Sequence, residues 1–370
     1  MACDMPVIVD HYAYSLIKIA SLKKLLIQPK DYRNLRMFKD EKILLEKLEA
    51  HFPSVSRVEE KTLIAIEKKL FSIYFDIFEK ILRNSPKQMQ RFLRSLLVRY
   101  EIWNIKTCLV GKLAELSIEQ IKDEVFFKPA RILGRYKFIY NLVTMPTIQE
   151  CIDYLRQYDR YKHLIERGWY FFQEKNEVFM IEALLDKYYY DQLYNNLPSY
   201  SGLEFEIFSK YIDTMIQKYN LMLSYRGVYT KIPKELLKQL VIKQGTLFNL
   251  NIIEDLINSE TIDEYLEKLL DFLMYPDNKF KVLMANKEEK EHYERIKPFS
   301  SILHKLAADD PISPILAELN KQLFKELKKG KPEDLKIRTI EETLSLILSK
   351  ENEIFKVLEL FVKIFHKIDD

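Results

Sequence analysis

Apolar residues recur every three or four positions along most of this chain. Leu63, Ile66, Leu70, Ile73, Ile77 and Ile81 form one such series, and Met89, Leu93, Leu96, Tyr100 and Trp103 form the next. That spacing places them on single faces of amphipathic α-helices. No sustained two-residue alternation bounded by hairpin turns interrupts the pattern. Helix starts are written out as capping boxes at Ser85-Pro86-Lys87-Gln88, Ser117-Ile118-Glu119-Gln120, Thr147-Ile148-Gln149-Glu150, Thr261-Ile262-Asp263-Glu264 and Thr339-Ile340-Glu341-Glu342. In each, the hydroxyl is placed to accept from an unpaired N–H at the third helical position while the Glu or Gln reaches back. The pattern predicts an all-α protein.

The same helical strings return along the chain. Ile66-Glu67-Lys68-Lys69-Leu70-Phe71 is echoed by Leu185-Asp186-Lys187-Tyr188-Tyr189-Tyr190 and by Leu319-Asn320-Lys321-Gln322-Leu323-Phe324. Leu44 to Leu48, Cys151 to Leu155 and Tyr265 to Leu269 align as an early helix of each copy. Asn104-Ile105-Lys106 matches Asn220-Leu221-Met222. Downstream, Ile121, Val125, Phe126 and Phe127 pair with Leu236, Leu240, Val241 and Ile242, each 115 residues later. The third copy is looser: Ser349 to Ile354 is the counterpart, with Lys356 where the asparagine belongs. Self-similarity over so long a period predicts lobes rather than short solenoid units. The expected division is 1–132, 133–250 and 251–370, three related helical lobes around a pseudo-threefold axis that form a funnel or socket.

Composition narrows the function. With 48% hydrophobic residues, each lobe can bury a core, and 7 Gly with 13 Pro in 370 residues argue against an all-β or low-complexity chain. Fifty-eight basic and 55 acidic residues leave +3, too balanced for the basic face that nucleic acid requires. The longest charge-free apolar stretch, Phe138 to Gln149, falls well short of the roughly 20 residues that span a bilayer. Cys3, Cys108 and Cys151 are unpatterned, and no secretory signal opens the chain. The expected setting is reducing and cytoplasmic.

The chemistry of an enzyme is not written here. Gly111-Lys112 and Gly330-Lys331 lack the earlier Gly and the following Ser or Thr of a phosphate-binding loop. The six histidines show no ligand spacing, and no G-x-S-x-G marks a nucleophile. No catalytic residue, metal or cofactor is expected. Lys325, Lys328, Lys329 and Lys331 precede Pro332 and read as a helix end, where cations favour the dipole. Tyr188, Tyr189 and Tyr190 point in three directions around a helix, which suits core packing or a cavity lining better than one stacking platform.

Asn104 and Asn220 carry the most information. Asparagine is a poor interior helix residue because its side chain competes for backbone partners. Its recurrence at matched places implies a buried hydrogen-bonding position at a helix crossing, or else direct contact with a partner. The first role is favoured, since a buried amide must be satisfied either way.

With these motifs in hand, the chain resembles the C subunit of A/V-type rotary ATPases, whose counterpart in eukaryotic V-ATPases is called d. The resemblance rests on Arg99-Tyr100-Glu101-Ile102-Trp103-Asn104-Ile105-Lys106, with Val110 where the family has Arg, and on Asn220 with Arg226 in the second lobe. Glu182 to Tyr190, Lys350 to Val357 (with its Asn lost) and Tyr12-Ala13-Tyr14 followed by Leu25-Leu26 add to it. It implies a non-catalytic funnel on the cytoplasmic face of the membrane proteolipid ring, peripheral to the membrane. Such a funnel accepts the tip of the central stalk, formed by the D and F subunits, with the a/I-type stator subunit as a further neighbour and no nucleic acid. Asn104, Lys106, Tyr219, Asn220 and Arg226 are the candidates for lining or supporting its cavity. A free-standing helical adaptor is the alternative, differing by its partner alone.

Overall fold

Three of the five expected hydroxyl caps form, one of them as a full box. Ser117 accepts from Gln120 N–H while the Gln120 side chain accepts from Ser117 N–H, a complete box. Thr147 accepts from Glu150 N–H, and Thr261 accepts from Glu264 N–H at 3.1 Å. The other two hydroxyls act differently. Ser85 is buried and donates backward to the Ile81 carbonyl at 2.8 Å, which leaves Pro86 at the cap position. Thr339 lies inside a helix that begins at Leu335, and it donates to the carbonyls of Leu335 and Tyr12. In both cases the hydroxyl takes a nearby carbonyl instead of a helix-terminal N–H.

A computed structural model describes residues 11–58, 62–175, 178–283, 312–327 and 335–366. Among these residues there is no strand. In chain order the helices are α1 (His11–Leu22), α2 (Pro29–Leu35), α3 (Glu41–Leu48), α4 (Leu63–Arg83), α5 (Lys87–Leu113), α6 (Ile118–Glu124), α7 (Phe127–Ile132), α8 (Tyr136–Thr144) and α9 (Ile148–Arg156). They continue with α10 (Asp159–Lys175), α11 (Phe179–Asn195), α12 (Gly202–Tyr229), α13 (Lys234–Leu240), α14 (Leu250–Ile257), α15 (Ile262–Leu283), α16 (Ile312–Leu327) and α17 (Leu335–His366). Lys325 occupies the last turn of α16, as a helix-end cation should; Lys328, Lys329 and Lys331 lie outside the described residues, as does Cys3.

Two compact units form, one from residues 1–178 with 330–370 and one from residues 179–329. In the first, α17 lies against α1 and α4, and α5 packs on α4, α7, α8 and α9. Its core is aromatic. Phe71 meets Phe126 at 5.0 Å between ring centres, and Phe75 meets Tyr100 edge-on at 4.7 Å. Phe75 and Phe92 are fully buried, each worth about 1.5–3 kcal/mol of transfer free energy. Cys108 and Cys151 are buried too. Burial pushes both thiols up, Cys151 to about 11, so they pack as small apolar groups.

One buried carboxylate organises the first unit. Glu101 accepts from Arg135 at 2.5 Å and from the Tyr161 hydroxyl at 2.5 Å, and forms an ion pair with Arg160 at 3.2 Å. It thereby links α5 to the start of α8 and to α10. Its neighbours Arg99 and Tyr100 both reach Glu351 on α17, Tyr100 donating at 3.0 Å. A buried carboxylate is tolerable only with partners of this kind.

In the second unit α12 is the axis, about 42 Å long at the usual rise. It is packed by α11, α13, α14, α15 and α16. Ser224 on α12 and Tyr265 on α15 share a buried hydrogen bond of 2.9 Å.

Candidate partner-binding site

The two units carry the same junction. Near its C-terminal end each long helix holds a glycine, then unwinds through one left-handed residue into a short helix. In the first unit the Ala114 N–H donates to Val110 and the Leu116 N–H to Gly111, with Glu115 at φ 55°. In the second the Thr230 N–H donates to Arg226 and the Ile232 N–H to Gly227, with Lys231 at φ 57°. Both are helix stops that satisfy terminal carbonyls through a left-handed residue. The returning short helix then presses a side chain onto the glycine: Ile121 of α6 onto Gly111, and Leu237 of α13 onto Gly227.

Asparagine closes each junction. Asn104 Nδ2 donates to the Phe126 carbonyl at 2.8 Å, and Asn104 Oδ1 accepts from the Phe126 N–H at 2.8 Å. Asn220 Nδ2 donates to the Ile242 carbonyl at 2.8 Å, and its Oδ1 accepts from the Ile242 N–H at 3.0 Å. Each side chain thus satisfies both backbone groups of one residue 22 positions later, where the chain leaves a short helix. These clamps set the internal correspondence at 116 residues, matching Ile121 to Leu237 and Phe126 to Ile242, one residue beyond the 115 expected from apolar pattern. Leu236 is only half-buried and Leu237 is buried, so Leu237 is the one that meets the glycine.

The repeated lysines behave alike in two copies and differently in the third. Lys68 of α4 donates to the Lys122 carbonyl at 2.8 Å, and Lys187 of α11 donates to the Val241 carbonyl at 3.0 Å, each at the end of the following short helix. Lys321 is 59% exposed and pairs with Glu318 one turn earlier at 3.0 Å. The Tyr188–Tyr190 run also separates by direction. Tyr189 is buried, while the Tyr190 ring packs 4.9 Å from that of Tyr219.

Of the five candidate residues, three face inward. Asn104 and Asn220 are buried in their clamps, and Tyr219 is buried with its hydroxyl 3.3 Å from the Ala183 carbonyl and 3.2 Å from that of Leu240. Burial first, then Asp186, Tyr190 and Asp191, raises the Tyr219 hydroxyl well above its ordinary value, so it stays a neutral donor. The other two face outward. Lys106 is half-buried on α5 between exposed Trp103 and Val110, with Trp103 44% exposed. Arg226 is exposed on α12 between Met222 and Tyr229, which are 37% and 68% exposed. Residues 222, 226 and 229 fall on one face at helical spacing, and Tyr225 stacks on Tyr229 at 6.4 Å. Apolar and aromatic side chains around an Arg have the composition of a protein-binding anchor.

The third long helix, α17, carries no asparagine at position 356. The Lys356 carbonyl is 3.3 Å from the Tyr32 hydroxyl, and its ammonium lies over the Tyr32 ring. One and two turns earlier, Glu353 and Lys350 do what the amides do elsewhere. The Glu353 carboxylate accepts from the Ile27 N–H at 2.7 Å, while Lys350 Nζ donates to the carbonyls of Leu25 at 2.8 Å and His51 at 2.9 Å. Composition gives this pair as two more surface charges, and the motif from Lys350 to Val357 contains both without showing what they grip. Their role depends on where the N-terminal residues lie.

These features define an all-α protein built on a repeated long-helix junction. A family model for the ATP synthase (C/AC39) subunit matches residues 18–357, and the chain belongs to that family. It is similar to the C subunit of the A-type ATP synthase of Methanosarcina acetivorans, 27% identical over 59% of this chain and 59% of that protein. The C subunit from Methanococcoides burtonii is 29% identical over 49% of this chain and 48% of its own length. That from Methanocaldococcus jannaschii is 28% identical over 77% and 72%. The first two alignments therefore span about half to three-fifths of the curated relatives' length.

Proposed function

We propose that the chain is a non-catalytic central-stalk subunit of a rotary ATPase, coupling a rotating stalk of D and F subunits to the membrane proteolipid ring. The observation that carries this reading is the family match over residues 18–357. The physics is compatible with it. A torque-transmitting part needs stiff, closely packed helices, and here long helices are locked at their ends by buried amides. No described helix is long and apolar enough to cross a membrane, which suits a part resting on the ring's cytoplasmic face. The a/I-type stator is a further neighbour in this proposal. The three lobes at 1–132, 133–250 and 251–370 are likewise proposed as related units about a threefold axis, a reading that the 116-residue recurrence of the clamp supports for the first two.

Within this reading Lys106 and Arg226 are the contact residues, whereas Asn104, Tyr219 and Asn220 hold the helices that present them. A stalk tip seated on this protein would bury on the order of 1,200 Å² or more. Arg226→Glu is expected to weaken capture of a D–F pair by at least about tenfold, mostly through faster release, with helix content unchanged by circular dichroism. Wild-type chain that fails to capture D–F at high concentration would remove the stalk contact from the proposal. Normal capture by the mutant would remove Arg226 alone. The isolated chain is also expected not to turn over ATP; hydrolysis abolished by one substitution in this chain would end the non-catalytic reading.

A further inference from the structure

The junctions of α5 and α12 grip a segment that follows in sequence, whereas that of α17 grips residues some three hundred positions earlier. Ile27 is the residue before the Gln28 cap of α2, as Phe126 is the cap residue of α7. Both lie at the entry to a short helix, where backbone groups have no intrahelical partner. At Phe126 a neutral amide supplies a donor and an acceptor from one side chain. At α17 two charged side chains share the task, with Lys350 Nζ 3.1 Å from Glu353 Oε2. Lys350 is fully buried, and its ammonium lies 3.5 Å from the Phe52 ring centre. One cation therefore holds two separate stretches of the N-terminal segment, at Leu25 and at His51.

We infer that Lys350 and Glu353 form an intramolecular binding site on α17 for the chain's own backbone, a third clamp made of charges, and that it is a seam at which residues 23–58 detach as a unit while the rest of the fold stays closed. Three observations support it. The contacts of the pair fall on residues 25, 27 and 51, bracketing the short helices α2 and α3. The helix that follows this segment, α4, touches the turn at residues 55–57 but packs mainly on α17, α5 and α1, so most of its packing lies outside residues 23–58. The buried charges are held against burial, which lowers Lys350 to about 8 and raises Glu353, each offset in part by the other. A neutral amide clamp faces no such opposition.

Hydrogen–deuterium exchange on the full-length chain tests this. Lys350→Met is expected to speed exchange of peptides within residues 23–58 by at least about tenfold, with α5, α8 and α9 unchanged. The double variant Lys350→Gln with Glu353→Gln, which places a neutral donor and acceptor at the site, is expected to restore most of that protection. Glu353→Gln alone keeps an acceptor for Ile27 and should open the same peptides by less; it also serves if Lys350→Met does not fold. Faster exchange spread evenly over α4, α5 and α9 in both single variants would overturn the seam and leave an ordinary core lysine. Wild-type protection of 23–58 in either single variant would overturn it as well.

Discussion

Asn104→Ala is expected to lower unfolding stability by about 3–4 kcal/mol, read from the urea midpoint at unchanged slope. The substitution strips partners from the N–H and the carbonyl of Phe126, both held at 2.8 Å in a buried site. Each unsatisfied buried group costs about 1–3 kcal/mol. Asn104→Asp should be no milder, because it keeps the acceptor, loses the donor and places a charge beside the Phe126 carbonyl. Asn220→Ala should cost a similar amount through Ile242. Had these amides served only as partner contacts, alanine would leave the midpoint where it is. An unchanged midpoint would therefore reverse the assignment of Asn104 and Asn220 to internal support.

Gly227→Ala has the second largest expected effect, and its sign is opposite to the usual one. In an open helix interior alanine stabilises by about 1 kcal/mol relative to glycine. At Gly227 an added Cβ would meet Leu237 Cδ2 at 2.3 Å, Cδ1 at 2.5 Å and Cγ at 2.9 Å. Because Cγ sits on the stem of a fully buried side chain, rotation of the methyls does not clear it, and α13 must move. Overpacking of this kind costs about 1–3 kcal/mol. Gly111→Ala should follow with a smaller loss, since Ile121 comes only to 2.7 Å at Cγ1 and 3.0 Å at Cδ1. Thermal unfolding of both variants decides the matter: a raised Tm in Gly227→Ala would show that α12 and α13 are less closely held.

Both effects concern residues that the sequence marks with unequal clarity. Asn104 and Asn220 stand out because an amide inside a helix demands an explanation, and matched demands at a regular interval point to one repeated contact. The glycines offer no such signal. Gly111 reads only as an incomplete phosphate loop, and Gly227 as nothing in particular, because close approach involves a residue from another helix. The one-residue difference in the offset has the same origin. Apolar pattern places Leu236 and Leu237 almost equally well, and the clamp on Ile242 chooses between them.

Local chemistry by itself determined the helical class, the caps at Ser117, Thr147 and Thr261, and the recurrence of the long-helix motif. Those depend on contacts within a few residues, so spacing and residue type carry them. Only the tertiary structure decided that Ser85 and Thr339 donate to carbonyls, that Tyr219 is buried while Trp103, matched to it by the 116-residue offset, is exposed, and that Lys350 with Glu353 replaces the asparagine missing at 356. Each of those outcomes rests on packing that the fold supplies. For Lys350 the partners are Leu25 and His51, about three hundred positions away, and no local pattern can place a cation against a backbone that the fold brings from so far along the chain.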